Sequence, residues 1–182
     1  MAKFYTKTGD DGYTGRLGEG RLPKHHILID AIGTIDEASS ALGFARALVG
    51  AKTTEQLILA LQKDLYHIMA ELSATPDNAE KFRVVDAKRL AWLEDQIERY
   101  NLAVESPREF IVPGDTKSGA ALALARTVVR RAERRISELN QVEPIINTAV
   151  LPYLNRLSSL CFVLELYENQ SAGTAGPTLA KD

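Results

Sequence analysis

The stretch Ala125-Arg126-Thr127-Val128-Val129-Arg130-Arg131-Ala132-Glu133-Arg134-Arg135 decides how this chain folds. It contains no Gly or Pro and lies in a run from Ser118 to Asn140 that suits a helix. At about 3.6 residues per turn, one side of this helix is an apolar stripe. The stripe consists of Ala121, Ala125, Val129, Ala132, Ile136 and Leu139.

A ladder of charged side chains runs beside that stripe. Arg126, Arg130, Glu133 and Arg134 share one arc of the predicted helix, whereas Arg131 and Arg135 are predicted to point to water. Guanidinium groups match the geometry of phosphate, so the ladder could bind a polyphosphate. The ordinary alternative is a solvated helix face with pairs of charges one turn apart.

Composition limits the classes of function. The chain has 182 residues, 45% hydrophobic and 25% charged, with a net charge of −2, which is typical of one globular domain without a basic field for nucleic acid. Cys161 lies among apolar residues and is predicted to be a buried thiol. No signal-peptide pattern or membrane-spanning run is found, so we expect a cytoplasmic protein without membrane contact.

Residues 4–26 are crowded with glycines, threonines and basic side chains. Glycines let the backbone approach a ligand and expose N–H groups that can hold phosphate. The segment is not a Walker A loop, because Arg21 and Leu22 stand where Lys and Ser or Thr are required. The alternative is a disordered terminal tail.

The rest of the chain predicts an all-α protein, a five-helix up-and-down bundle without a β-sheet. Helical periodicity covers residues 27–49, and Thr53 and Gln56 have the spacing of a capping box for the second helix. Asp86 is predicted to cap the third helix. The ladder helix is the fourth, and the fifth begins near residue 147 and carries Pro152 in its first turn.

Two loops and the chain end complete the prediction. Residues 74–85 are predicted to form a loop. Residues 101–118 form a long connection in which the triplet Phe110-Ile111-Val112 is apolar and predicted to be buried. We expect one domain over residues 1–168, its N-terminal segment being residues 1–26, and a disordered tail over residues 169–182.

Four stretches taken together resemble the PduO-type ATP:cob(I)alamin adenosyltransferase family. They occur in the family's order and span about residues 4–167. The stretches are Tyr5-Thr6-Lys7-Thr8-Gly9-Asp10; Gly33-Thr34-Ile35-Asp36-Glu37 with Leu42-Gly43-Phe44-Ala45-Arg46; Phe110-Ile111-Val112-Pro113-Gly114; and Ala125 to Arg134 followed by Tyr153-Leu154-Asn155-Arg156-Leu157-Ser158.

The resemblance implies transfer of the 5′-deoxyadenosyl group of ATP to cob(I)alamin or a related corrinoid, with release of tripolyphosphate. It implies a homotrimer with active sites between subunits, and possible hand-over of the product to an adenosylcobalamin-dependent enzyme. It places Asp36 and Arg126 in a salt bridge across the subunit boundary and Phe110 on the corrin side. The residues implied to contact ATP or Mg²⁺ are Thr6, Lys7, Thr8, Gly9, Lys24, Arg130, Glu133, Arg134 and Asn155, with Glu133 at the metal.

The chain departs from the family pattern at several positions. Asp115 replaces a second Gly, Ala123 a His, Ser159 an Asp and Leu166 an Arg. These departures motivate one alternative, a non-catalytic relative that binds ATP or corrinoid and delivers it to a partner or regulates it. A ferritin-like metal bundle is a second alternative, but it needs paired Glu-x-x-His motifs, and Asp64-Leu65-Tyr66-His67 stands alone. A helical interaction scaffold is the third, and it leaves the ladder and the glycine-rich segment unexplained.

Overall fold

The computed structural model describes residues 4–181, and within them the protein is mostly helical. Six α-helices, one 3₁₀ turn and one small antiparallel sheet are present. The elements are β1 (Tyr13–Gly15), β2 (Arg21–Pro23), α1 (Ile27–Arg46), α2 (Lys52–Ser73), α3 (Pro76–Ala79), the 3₁₀ turn Glu80–Phe82, α4 (Ala87–Asn101), α5 (Lys117–Val142) and α6 (Val150–Ser171).

The prediction of a mostly helical protein is confirmed, but two details differ. The five longer helices have 15 to 26 residues, and α3 adds a sixth of only four residues. Pro76 starts that single turn, because a proline at the first helical position lacks only an N–H that would be unpaired there anyway. The sheet, two strands of three residues each, was not predicted because runs so short carry no periodicity.

Helix α5 is the central element, packed against both α1 and α6. Its predicted apolar stripe is buried, since all six side chains are at most 3% exposed. Gly119 lets α6 approach closely at the start of α5, because a Cβ there would lie 2.1 Å from Oδ1 of Asn169. Cys161 is buried as predicted, and burial raises the pKa of its thiol to about 12.

The helix starts test the capping predictions. Asp86 caps α4 as predicted, its carboxylate accepting a hydrogen bond of 2.8 Å from the backbone N–H of Arg89. Thr116 caps α5 by accepting a bond of 2.9 Å from the N–H of Gly119. The capping box at Thr53 is wrong: α2 already begins at Lys52, so Thr53 lies inside the helix and its N-cap is Ala51, which makes no side-chain cap.

The C-terminal residues differ from the expected tail. Helix α6 continues to Ser171, and Asn169, the first residue of that tail, is only 3% exposed. Beyond the helix, residues 178–180 run antiparallel to the loop before α5, with an isolated bridge between Ile111 and Leu179. Tail composition alone could not indicate this, because backbone pairing with a distant loop leaves no local pattern in the sequence.

Candidate functional site

The N-terminal segment is an ordered hairpin in residues 4–26, not a tail. Its strands pair in the register Tyr13–Pro23, Thr14–Leu22 and Gly15–Arg21. Arg21 ties the turns together by a salt bridge of 2.8 Å to Asp11 and a hydrogen bond of 2.5 Å to the carbonyl oxygen of Thr8. The hydrogen bonds from Arg21 lower the pKa of the Asp11 carboxyl.

The predicted phosphate loop, Thr6 to Gly9, precedes the first strand of this hairpin. Lys7 has a φ of 63°, and it is the one residue other than glycine with positive φ in the described part of the chain. A residue other than glycine whose backbone is held in this sparsely populated region often marks a ligand site. The Thr8 hydroxyl donates a hydrogen bond of 2.5 Å to the Thr6 hydroxyl, so the two threonines are neighbours.

Lys24 reaches the same loop from the other end of the hairpin. A Cβ added at Gly9 would lie 3.0 Å from Lys24 Nζ, so a larger residue at this position would require the ammonium group to shift. Thr6, Thr8, Gly9 and Lys24 together line a cavity of about 540 Å³ that also includes Tyr13 and Arg21. Hydroxyl donors and two basic side chains around one open cavity can bind phosphate groups.

The arginine ladder of α5 divides into two sets. Arg131 and Arg135 are exposed to water, as predicted, and they also form salt bridges with Glu37 and Asp30 of α1. Helix α1 brings its own carboxylates alongside α5, which the pattern of α5 alone could not indicate. Among residues 4–181, the side chains of Arg126, Arg130 and Arg134 form no salt bridge.

Glu133 is held within this ladder by α6. Asn155 Nδ2 donates a hydrogen bond of 2.7 Å to Glu133 Oε1, and Asn155 Oδ1 accepts one of 2.9 Å from Arg156. Arg156 in turn bonds Glu94 of α4 at 3.1 Å. This chain of contacts gives the polar pair Asn155-Arg156, which interrupts an apolar run, a defined position.

A magnesium ion is compatible with Glu133 on these contacts. Asn155 bonds only Oε1 of the carboxylate, and Glu133 is half-buried. Mg²⁺ usually takes one or two carboxylates and completes its shell with water and substrate phosphates. No group of three or more His, Cys, Asp or Glu side chains that could hold a metal alone occurs in the described residues, and a ferritin-like centre would need such a group.

Arg126 and Asp36 do not form a salt bridge in the described chain. Asp36 is exposed on α1. Arg126 is half-buried with its Nε unpartnered, and its guanidinium carbon lies 6.0 Å from the centre of the Phe162 ring. The predicted bridge between them across a subunit boundary stays a prediction, and both groups are free to make it.

Phe110 is 87% exposed and Val112 is 47% exposed, so the prediction that the apolar triplet is buried is wrong in the single chain. Phe110 lies at the edge of an open cavity of about 540 Å³ that it shares with Phe162, Arg126 and Lys181. Two aromatic rings and flanking cations can receive a flat apolar ligand with polar edges.

The predicted phosphate loop and the arginine ladder are not linked by polar contacts in the described part of the chain. Among residues 4–181, no hydrogen bond or salt bridge joins the loop residues Thr6 to Gly9, or Lys24, to the ladder or to Asn155. The hairpin is fixed instead to the end of α2, where Leu17 forms a bridge with Ala74 and Arg16 bonds the Ala74 carbonyl oxygen at 2.8 Å.

Sequence reasoning missed two groups near this site. Glu165 is only 1% exposed on α6, and burial, reinforced by Asp115 and opposed by Arg126, raises the pKa of its carboxyl to about 7. A glutamate inside the apolar run of α6 is the signal that could have found it. Asp115, noticed only as a departure, accepts two hydrogen bonds from Thr178.

Comparisons with known proteins match nearly the whole chain. The sequence profile described as cobalamin adenosyltransferase matches residues 4–168. A corrinoid adenosyltransferase of Bacillus subtilis is 37% identical over 94% of this chain and 89% of its own length. A cobalamin adenosyltransferase of Cupriavidus metallidurans is 38% identical over 95% of this chain and 91% of its own.

A solved structure is similar at the level of the fold. It is a variant of a PduO-type ATP:corrinoid adenosyltransferase from Lactobacillus reuteri complexed with cobalamin and ATP. The TM-score is 0.89 at 32% identity, and the match covers 99% of this chain and 100% of the other. In the described part of this chain, no helix combines the length and the apolar character needed to cross a bilayer.

Proposed function

Because the chain belongs to the cobalamin adenosyltransferase family, we propose that it transfers the 5′-deoxyadenosyl group of ATP to cob(I)alamin or a related corrinoid. The observation that carries the proposal is a set of three α5 arginines, Arg126, Arg130 and Arg134, beside the positioned Glu133. Within residues 4–181 none of the three forms a salt bridge with a carboxylate. A second set of groups that can donate hydrogen bonds to phosphate lies on the N-terminal hairpin.

The proposed reaction is a displacement at carbon. Co(I) attacks the 5′ carbon of ATP with its electron pair, the cobalt–carbon bond forms, and the carbon–oxygen bond breaks. The electron pair of that bond leaves with tripolyphosphate. Because the nucleophile belongs to the corrinoid, the protein needs no activated side chain of its own.

The chain's own residues position ATP and stabilise charge on the leaving group. Thr6, Lys7, Thr8 and Gly9 bind the phosphates through hydroxyl and backbone donors, and Lys24 adds its ammonium group. From α5, Arg130 and Arg134 balance the charge that develops on tripolyphosphate. Glu133, positioned by Asn155, would hold Mg²⁺, which supplies further positive charge to the phosphates.

The corrinoid is assigned to the cavity beside Phe110. The ring of Phe110 would form a rigid apolar wall against one face of the corrin and would keep a ligand of cobalt from that face. An external one-electron reductant would then convert cobalt(II) to Co(I) more readily. The exposure of Phe110 supports this role, because a ring that is 87% exposed is available to a ligand.

The assembly we propose is a homotrimer of up-and-down five-helix bundles, each one domain over residues 1–168. The hairpin of one subunit and the arginine ladder of the next complete each ATP site. Asp36 and Arg126 form a salt bridge across that boundary. A cytoplasmic location and hand-over of the product to an adenosylcobalamin-dependent enzyme belong to the same proposal.

An anaerobic assay with ATP and chemically reduced cobalamin tests the function. We expect formation of a light-sensitive alkylcobalamin, followed by its absorbance, with one tripolyphosphate released for each product. Binding of ATP and corrinoid without any product would instead favour a non-catalytic relative that delivers the cofactor.

A further inference from the structure

The C-terminal segment, residues 178–181, pairs with the loop that lines the Phe110 cavity. Two backbone hydrogen bonds join it to the loop, from the Val112 N–H to the Thr178 carbonyl oxygen at 2.8 Å and from the Ala180 N–H to the Phe110 carbonyl oxygen at 2.7 Å. Lys181, the next residue, lines the cavity together with Phe110. The backbone of the Phe110 loop is thus hydrogen-bonded to Thr178 and Ala180, the residues on either side of Leu179.

One side-chain contact fixes this pairing. Asp115 accepts a hydrogen bond of 2.6 Å from the Thr178 hydroxyl and another of 3.1 Å from the Thr178 N–H. A carboxylate that accepts two bonds from one residue fixes both its distance and its orientation. Gly114, with φ at 131°, makes the turn that brings Asp115 to the segment.

Without this contact, little else in the described chain would hold the segment. Thr178, Leu179, Ala180 and Lys181 are exposed, so apolar burial contributes little to their position. Backbone pairs at an exposed edge are readily opened. The position of the segment therefore depends on the Asp115–Thr178 contact more than on packing.

We propose that Asp115 and Thr178 are positioning residues for the corrinoid: they hold residues 178–181 and the Phe110 loop together as one wall of the corrinoid site. The proposal rests on the proposed function, because it takes the ligand of this cavity to be a corrinoid. It gives Asp115 a role in binding, where the chain departs from the glycine of the family pattern.

The test uses the full-length protein and three variants. Thr178→Val removes the hydroxyl at nearly constant shape, and Thr178→Ser keeps it. Thr174→Val is the matched control, since that hydroxyl bonds Asn169 at 2.9 Å within the end of α6 and not the loop. Hydrogen–deuterium exchange of peptides spanning residues 108–116 and 174–181 reports the pairing, and titration with cob(II)alamin in the presence of ATP reports corrinoid affinity.

We expect Thr178→Val to speed exchange at the Val112 and Ala180 amides and to weaken cob(II)alamin binding about 5-fold to 10-fold. The affinity for ATP should be unchanged, because the phosphate residues lie elsewhere. Thr178→Ser and Thr174→Val should behave as the wild type in both measurements.

Three outcomes would overturn the proposal. Unchanged exchange in Thr178→Val means that the contact does not hold the segment. Faster exchange with unchanged or tighter cob(II)alamin binding means that the segment is not a wall of the site. If the wild type binds ATP but no corrinoid, the proposed function itself fails, and the wall role fails with it; the first two results leave that function standing.

Discussion

Arg130 is the residue from which the chemistry can best be tested. It is exposed on α5, and its side chain forms no salt bridge among residues 4–181, so it contributes little to the fold. Arg130→Ala should lower kcat/KM by about 30-fold to 1000-fold, because one lost charge contact to a leaving phosphate costs about 2–4 kcal/mol at the transition state. Steady-state kinetics and thermal unfolding measure the two effects.

The neighbouring Arg131 provides the matched control. It has the same charge and the same helix, but its guanidinium bonds Glu37 of α1. Arg131→Ala should therefore retain most of the turnover and lose a little stability. Equal losses of turnover in both variants would mean that general positive charge on α5, and not a contact made by Arg130, supports the reaction.

Phe110 can be tested for its proposed role against cobalt. Since the ring is 87% exposed, Phe110→Ala should change the free energy of unfolding by less than about 0.5 kcal/mol and leave ATP binding intact. Turnover should fall sharply when cobalt(II) is reduced on the enzyme, and much less when Co(I) is supplied. Electron paramagnetic resonance of bound cob(II)alamin with ATP should show a four-coordinate signal in the wild type that weakens in the variant; equal signals would refute the role.

At the scale of elements, the long helices and the buried stripe of α5 could be predicted because periodicity over many residues averages out local exceptions. Asp86 was predictable as a cap because its partner lies three residues away. The salt bridges of Arg131 and Arg135 to α1 were not predicted, and the prediction that Phe110 is buried was wrong. The reason is the opposite one, because these contacts and this exposure depend on elements distant in sequence.

The candidate site could be predicted only in part for the same reason. The resemblance assigned roles to the loop, the ladder and Asn155, and the structure adds how each is held: Asn155 bonds Glu133, and Lys24 lies against Gly9. The Asp115–Thr178 contact joins residues 63 positions apart. A pairing over such a distance has no periodic or motif signal in a single sequence.

The interface between α5 and α6 contains a carboxyl group whose ionisation opposes folding. The pKa of Glu165 is raised from 4.5 to about 7, mainly by burial; Arg126 opposes this rise and Asp115 contributes to it. The folded protein therefore holds a proton that the unfolded chain has released between these pH values. The bound proton stabilises the folded state fully below about pH 4.5, and this stabilisation is lost as the pH rises towards 7. The loss in the free energy of unfolding is no more than about 3 kcal/mol.

Glu165→Gln tests this directly, since it removes the charge at nearly the same shape. The variant should raise the free energy of unfolding relative to the wild type at pH 8, and the gain should shrink at pH 5. Denaturant unfolding at both pH values measures the difference. Glu55→Gln, which changes an exposed carboxylate on α2 paired with Lys52, is the control and should show no such pH dependence; a pH-independent effect of Glu165→Gln would contradict the assignment.

The proposed salt bridge between Asp36 on α1 of one subunit and Arg126 on α5 of the next can be tested by exchanging the two charges. Asp36→Arg and Arg126→Asp should each lower turnover and weaken assembly, because each leaves like charges facing at the proposed boundary. The double variant should recover part of both losses if the side chains touch. A double-variant cycle of turnover and subunit dissociation measures the coupling energy, and a coupling of zero would exclude direct contact.

At the scale of the molecule, no hydrogen bond or salt bridge within residues 4–181 joins the proposed phosphate loop to the arginine ladder. The hairpin is tied to the end of α2, whereas Arg130 lies in the middle of α5. Large apolar side chains also remain exposed, among them Phe44 at 55% and Leu124 at 52%. Exposed apolar side chains on α1 and α5 are consistent with the proposal that another subunit covers this surface.

A trimer that joins half-sites from different subunits makes a specific prediction about mixtures. Lys24→Ala removes a group from the hairpin and Arg130→Ala one from the ladder, so each variant alone should be nearly inactive. When equal amounts are assembled together, each site pairs a hairpin and a ladder drawn at random, and about one quarter of the sites are intact. Activity should therefore recover to about one quarter of the wild-type value, and light scattering should give about three times the chain mass of 20.0 kDa. Mass spectrometry of intact assemblies verifies that chains have mixed. If mixed assemblies form and no activity returns, or if an active monomer is found, both half-sites act within one chain and the intersubunit site is wrong.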